Sequence, residues 1–236
     1  MQGFAFSIIA AISLFCCSCF SRTSPDDATV EELVEKLQSG SRDSKREAAF
    51  ALSRKVQDDK TRPQVAAAKK ALKQLITDKD LYTKIFIAHT LAALGESDDD
   101  LLNAYKEASE DKNVWSRTQA MCGIRKNKHL LEKSRALLYK SLDDKERTVV
   151  WEGLQSLSTL DSIDRVDILN KVASIAASNS DTPGIQREAI FVLAKAAPSC
   201  ATHALSLVKE LKLHKDVVDD RNKAVKTLTE ILSKHK

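Results

Sequence analysis

The stretch DSKREAAFALSRK, Asp43 to Lys55, places an acid, then Arg46, then Ala48, Ala49, Ala51 and Leu52. Ala48, Ala49, Leu52 and Val56 recur at the spacing of one helix face, so the stretch predicts an amphipathic helix with a stripe of small residues. Asp43 stands where a carboxylate can cap that helix. Just upstream, Val30, Leu33, Val34 and Leu37 form another apolar stripe, ended by Ser39-Gly40. The two helices make a hairpin, and a lone hairpin cannot bury both apolar faces.

The same order returns along the chain. After Pro63, the residues Val65, Ala68, Leu72, Leu75 and Ile76 predict a first helix, Thr77 to Asp80 a turn, and Ile85, Ala88, Leu91 and Ala92 a second helix ended by Gly95. Leu101, Leu102 and Tyr105 lead through a turn at Asp111 to Val114, Ala120, Met121 and Ile124. Leu130, Leu131, Leu137, Leu138 and Leu142 precede the turn Asp143-Asp144-Lys145, and Val149, Val150, Leu154 and Leu157 follow it. Ile163, Val166, Leu169 and Val172 lead through the longer turn SNSDTPG to Ile185, Ala189, Ile190 and Leu193. Pro198 opens the last hairpin, with Leu205, Val208 and Leu211, then Val217, Ala224, Val225, Leu228 and Ile231.

A basic residue near the start of each second helix gives the register: Arg46, Lys84, Arg117, Arg147, Arg187 and Arg221, at intervals of 38, 33, 30, 40 and 34. Such a period marks an α-solenoid, in which each helix pair is covered by its neighbours. The composition agrees. Gly (6) and Pro (4) are too scarce for a turn-rich β fold, and aromatics are 5%. The core must therefore come from Leu, Ala, Val and Ile, with small residues at helix contacts.

The pattern acid, basic residue, small pair, Leu, as in Asp43-Arg46-Ala48-Ala49-Leu52, resembles the second helix of a HEAT repeat. The resemblance covers residues 28–235 and is plainest in the first, second and sixth units. The third keeps only Ala120 of the small pair, and the fourth has Trp151 and Gly153 there. Armadillo-type units of three helices are the near alternative. The resemblance implies an all-α, right-handed superhelix of about six stacked hairpins, and a monomer. It also implies second helices that line a concave face used to grip a protein or peptide partner. Some relatives with similar repeats are phycobilin lyases or helical DNA glycosylases, so an enzyme or enzyme helper is the alternative function.

Residues 1–20 read as an export signal and 21–28 as a linker before a repeat domain over 29–236. Phe4 to Phe15 is an uncharged apolar run of h-region length, too short to span a membrane comfortably. Leu14-Phe15-Cys16-Cys17 resembles a bacterial lipobox, and the resemblance implies Cys17 as the lipidated residue and new N-terminus, with a plain cleaved signal or an uncleaved anchor as the alternatives. Cys16 is unusual before such a cut, and Cys19 after Ser18 is the other candidate. The expected location is the cell envelope, lipid-anchored or periplasmic, or else outside the cell. Cys122 and Cys200 lie 78 positions apart, two repeats by the register, and are expected to remain unpaired.

The net charge of +4 is mildly basic and no nucleic-acid footprint in itself, so no nucleic-acid partner is expected. Charge is uneven. Residues 41–79 carry 11 Lys/Arg against 5 Asp/Glu, and residues 96–111 carry seven acids against Lys106. Solvated helix faces explain this, as would a basic end that meets an acidic partner or a membrane surface. No metalloprotease, P-loop or nucleophile-elbow motif occurs, and the five histidines are scattered. Neither a catalytic residue, a cofactor nor a metal is expected. Trp115 and Trp151 are 36 positions apart, near the same end of consecutive second helices. With Arg117 and Arg147 they have the composition of a binding hot spot. The competing role for the two rings is filling gaps between units, and for the register cations it is holding the architecture.

Overall fold

The computed structural model describes residues 27–235. Among these lie fourteen α-helices and no β-strand: α1 (Val30–Ser39), α2 (Arg42–Lys55), α3 (Arg62–Ala67), α4 (Lys69–Leu75), α5 (Leu81–Ala93), α6 (Asp99–Ser109), α7 (Val114–Lys126), α8 (Lys128–Leu131), α9 (Arg135–Ser141), α10 (Arg147–Leu157), α11 (Val166–Ser178), α12 (Pro183–Leu193), α13 (Ala201–Glu210) and α14 (Val218–Lys234). The helices form six repeats, and the second helix of each is α2, α5, α7, α10, α12 or α14. Each second helix packs on the next in an unbroken row, while the packed first-helix neighbours are α1 with α4, α6 with α9, and α11 with α13. This is the all-α solenoid that the register predicts.

Helix starts are set by short polar side chains. Thr29 and Glu32 form a reciprocal capping box on α1. Asp80, Asp98 and Asn113 accept from the first turns of α5, α6 and α7. Asp43 does not cap α2. Ser41 does, accepting from Ser44 N, which leaves Asp43 exposed in the first turn. Gly95 ends α5 with φ +88°, a left-handed conformation that glycine adopts without a Cβ penalty, and Glu96 N returns to Leu91 O at 3.0 Å.

The core is made largely from the predicted stripes, although Val114 and Val166, placed on them by spacing, are exposed at the first positions of α7 and α11. Leu33, Leu37, Ala49, Leu52, Leu72, Ile85, Leu91, Leu101, Ile124, Leu154, Leu169, Val172, Ile190 and Leu228 are fully or almost fully buried. Ala48, Ala49, Ala88, Ala120, Ala189 and Ala224 supply the small contacts that let second helices approach.

Two first helices differ from the continuous stripes of the sequence. The second repeat's is divided at Ala68 into α3 and α4, and the fourth repeat's is divided between Leu131 and Arg135 into α8 and α9. These two units thus have three helical pieces, the armadillo-type form, among units of two. Ile163 precedes α11 and makes an isolated bridge to Ala196, with Ile163 N donating to Lys195 O at 2.7 Å and Ala197 N to Ile163 O at 2.8 Å. The lipobox cysteines and the signal segment lie outside the described residues. Cys122 is a partly buried free thiol and Cys200 a buried one.

Candidate interaction surface

The register cations answer why an acid and a base flank each small-residue pair. Four of the six cations form an ion pair with the following repeat. Arg46 donates to Asp80 at 2.7 Å, Lys84 to Glu107 at 2.5 Å, Arg117 to Asp144 at 2.6 Å and Arg187 to Asp220 at 2.9 Å. Asp80 and Asp144 also accept backbone N–H groups of their own turns, from Thr83 and Glu146. One carboxylate thereby ties its turn and receives the neighbour's charge. Burial opposes ionisation of Asp80, but Arg46, Thr83 and Arg42 outweigh it and hold the carboxyl far below its usual range.

Arg117, a predicted partner-binding residue, is the most enclosed of these cations. Its side chain is 9% exposed and that of Asp144 12%. It donates through Nε and Nη2 to both Asp144 oxygens, and through Nη1 to the carbonyls of Asp111 and Lys112. The guanidinium therefore clamps the turn before α7 to the turn before α10. Arg147 is different. It is exposed, and its hydrogen-bond contact is Thr182 Oγ1 at 3.4 Å, longer than a good N–H···O bond.

Trp115 and Trp151 are both partly buried against the core. Trp115 stacks on Tyr82, with centroids 4.7 Å apart and planes 9° apart, and lies 5.8 Å from Phe86. Phe86 in turn meets Phe50 edge-on at 5.1 Å. The guanidinium of Arg46 sits 5.2 Å over Tyr82, a cation–π contact. An aromatic run thus crosses α2, α5 and α7. Farther along, Trp151 on α10 and Phe191 on α12 stand four residues after their register cations, as Phe50 does. The second helices of the first five repeats each carry a ring left partly uncovered: Phe50, Tyr82, Trp115, Trp151 and Phe191. Sequence reading singled out only the two tryptophans. Counting from the register cation would have found Phe50 and Phe191.

Behind this run lies a polar pair. His89 Nδ1 and Tyr105 Oη are 2.9 Å apart, joining α5 to α6. Gly123 on α7 makes room for them, since a Cβ there would stand 2.4 Å from the His89 ring and 2.6 Å from Tyr105 Oη. Burial, with a smaller contribution from Lys126, pushes His89 down to about 4, against the hydrogen bond its ring donates to Gln119. Among the described residues no group of three His, Cys, Asp or Glu is placed to hold a metal ion. No helix among them is long and apolar enough to cross a membrane.

These features define the class: an all-α, armadillo-like repeat solenoid in which register cations form ion pairs at four of five joints and five of six second helices carry a partly uncovered ring. Among solved structures, two engineered proteins from the Northeast Structural Genomics Consortium are similar. One has TM-score 0.64 at 20% identity, covering 85% of this chain and 98% of its own. The other has TM-score 0.62 at 17% identity, covering 86% and 97%. A designed armadillo repeat protein is similar at TM-score 0.60 and 14% identity, covering 84% of this chain and 99% of that one. At such identities the likeness shows the fold. No protein-family model and no curated protein matches the chain.

Proposed function

We propose that this protein is a non-enzymatic interaction module that binds a protein or peptide along its second helices. The observation that supports this reading is the set of partly uncovered rings Phe50, Tyr82 and Trp115, joined through Phe86 across three consecutive second helices, with Trp151 and Phe191 partly uncovered on the next two. Large aromatics with exposed edges are the side chains that dominate binding energy at interfaces. Repeat solenoids offer such rows on an extended surface, and any single unit supplies only part of the contact.

In this reading the module is exported and lipid-anchored through Cys17. The uncharged run Phe4 to Phe15 ahead of Leu14-Phe15-Cys16-Cys17 supports that placement. Intact mass of the mature protein from its native host tests it, with a diacylglycerol-modified chain beginning at Cys17 expected. An unmodified chain beginning at Met1 would contradict it.

The binding role is tested by capture from an envelope fraction with the wild type, Trp115→Ala and Trp151→Ala, each checked for helicity. Capture of a defined partner by the wild type, weakened at least about tenfold in one folded variant, is the expected result. Equal recovery by both variants would remove the aromatic row from the binding surface.

A further inference from the structure

Four of the five joints between repeats are closed by an ion pair from the register cation: Arg46–Asp80, Lys84–Glu107, Arg117–Asp144 and Arg187–Asp220. The fourth-to-fifth joint lacks one. Thr182 faces Arg147 where the other joints offer a carboxylate. The turn that carries Thr182 is SNSDTPG, within the longest register interval, 40 residues from Arg147 to Arg187. At this joint an open groove of about 390 Å³ runs between the turn before α10 and the outer side of α11. Its charged lining is Asp143, Asp144, Lys145, Arg147 and Lys171, three cations against two acids, with Ser174 beside them.

The charges in the groove are not balanced. Asp143 is engaged by Lys171, and Asp144 is taken from the other side by Arg117. Lys145 and Arg147 are exposed, and neither forms an ion pair among the described residues. Glu146 and Asp181 are near in sequence but do not line the groove. Asp181 accepts from Thr182 Oγ1 at 3.2 Å, so the threonine hydroxyl stands between Arg147 and that carboxylate, and the two charges form no ion pair.

We propose that this groove receives a carboxylate from an acidic peptide segment, with Arg147 as the main donor and Lys145 beside it. The ligand carboxylate takes the place of the missing joint acid. A guanidinium presents paired donors to a carboxylate, and its neighbours here show the geometry at the closed joints. The Ser174 hydroxyl on α11 gives a further donor to a peptide backbone, whereas Ser178 and Asn179 already donate to the carbonyl of Ile175. The assignment rests on the interaction-module reading and names the chemistry of one part of the partner.

The test uses the full chain and a fluorescently labelled hexaglutamate, followed by anisotropy at low and moderate salt. Saturable binding is expected, weakened at least about tenfold in Arg147→Gln and in Thr182→Asp, which fills the joint from within. Lys79→Gln, an equal loss of charge in an exposed turn of the second repeat, is expected to bind as the wild type does. No saturable binding, or equal affinity in wild type and Thr182→Asp, would overturn the proposal. So would displacement by inorganic phosphate at concentrations equal to or below the peptide's, since the site would then favour a free oxyanion. If these variants fail to discriminate while Trp151→Ala still loses its captured partner, the groove is wrong and the aromatic surface stands. If hexaglutamate binding behaves as expected while the tryptophan variants capture normally, the reverse holds.

Discussion

The third-to-fourth and fourth-to-fifth joints use the same register residue in opposite ways. At the first, Arg117 is sunk between two turns and engages all three guanidinium nitrogens with Asp144 and two backbone carbonyls. At the second, Arg147 stands exposed with one long contact to Thr182. The chain places an arginine near the start of a second helix in both cases. What differs is the facing turn: Asp143-Asp144-Lys145 is short and supplies an acid, whereas SNSDTPG is longer and supplies a threonine. A repeat position therefore becomes architecture or available surface according to its neighbour, and the residue type alone does not decide which.

The largest expected effect tests the closed joint. Arg117→Ala leaves the Asp144 carboxylate enclosed without its cation, and should destabilise the protein by about 3–5 kcal/mol in chemical denaturation. A loss under 1 kcal/mol on the same scale would mean that the clamp holds little.

Next comes the junction behind the aromatic run. The His89 value in the fold lies below the ordinary histidine value near 6.5. The unfolded chain thus takes up a proton first as pH falls, and stability drops between about pH 6.5 and pH 4, by up to about 3 kcal/mol. Below that window both states carry the proton and this contribution stays lost. Denaturation at stepped pH should show the fall, and His89→Gln should flatten it. An equally steep fall in His89→Gln would assign the effect elsewhere. Asp80, held low, acts in a separate window. Its contribution is present above its unfolded value near 4 and fades as pH drops further.

Gly123→Ala should cost about 1–3 kcal/mol, because the new methyl group overlaps His89 and Tyr105 unless helices shift. The smallest effects belong to the open joint. Arg147→Ala should change stability by no more than about 0.5 kcal/mol. Thr182→Asp should raise it by about 0.5 kcal/mol by supplying the absent acid. A large loss in Arg147→Ala would erase the contrast between the joints.

Periodicity made the solenoid legible, because apolar stripes at helical spacing and a recurring cation are local signals. The second helices are where that worked best. Their core faces, from Ala48 and Leu52 in α2 to Ala224 and Leu228 in α14, are the buried ones. First helices were harder. Val65 through Ile76 reads as one stripe, yet backbone dihedrals at Ala68 depart from helical values and divide it. Capping was ambiguous wherever two short polar residues stood close, and Ser41 holds the place that Asp43 was expected to take. The pairing of His89 with Tyr105, and the space Gly123 leaves for it, depend on three helices meeting, and no linear pattern encodes that. The choice between clamp and surface for Arg117 and Arg147 was hidden for the same reason: it is made by a turn in the next repeat.

Native-state hydrogen exchange on wild type and Arg117→Ala tests the central claim most directly, namely that each repeat is held chiefly by its neighbours. Protection should fall most in α7 and α10, which flank the broken joint, and least in α1 and α14 at the two ends. An equal loss of protection in all the helices would contradict it, showing one indivisible unit in place of a row of coupled repeats.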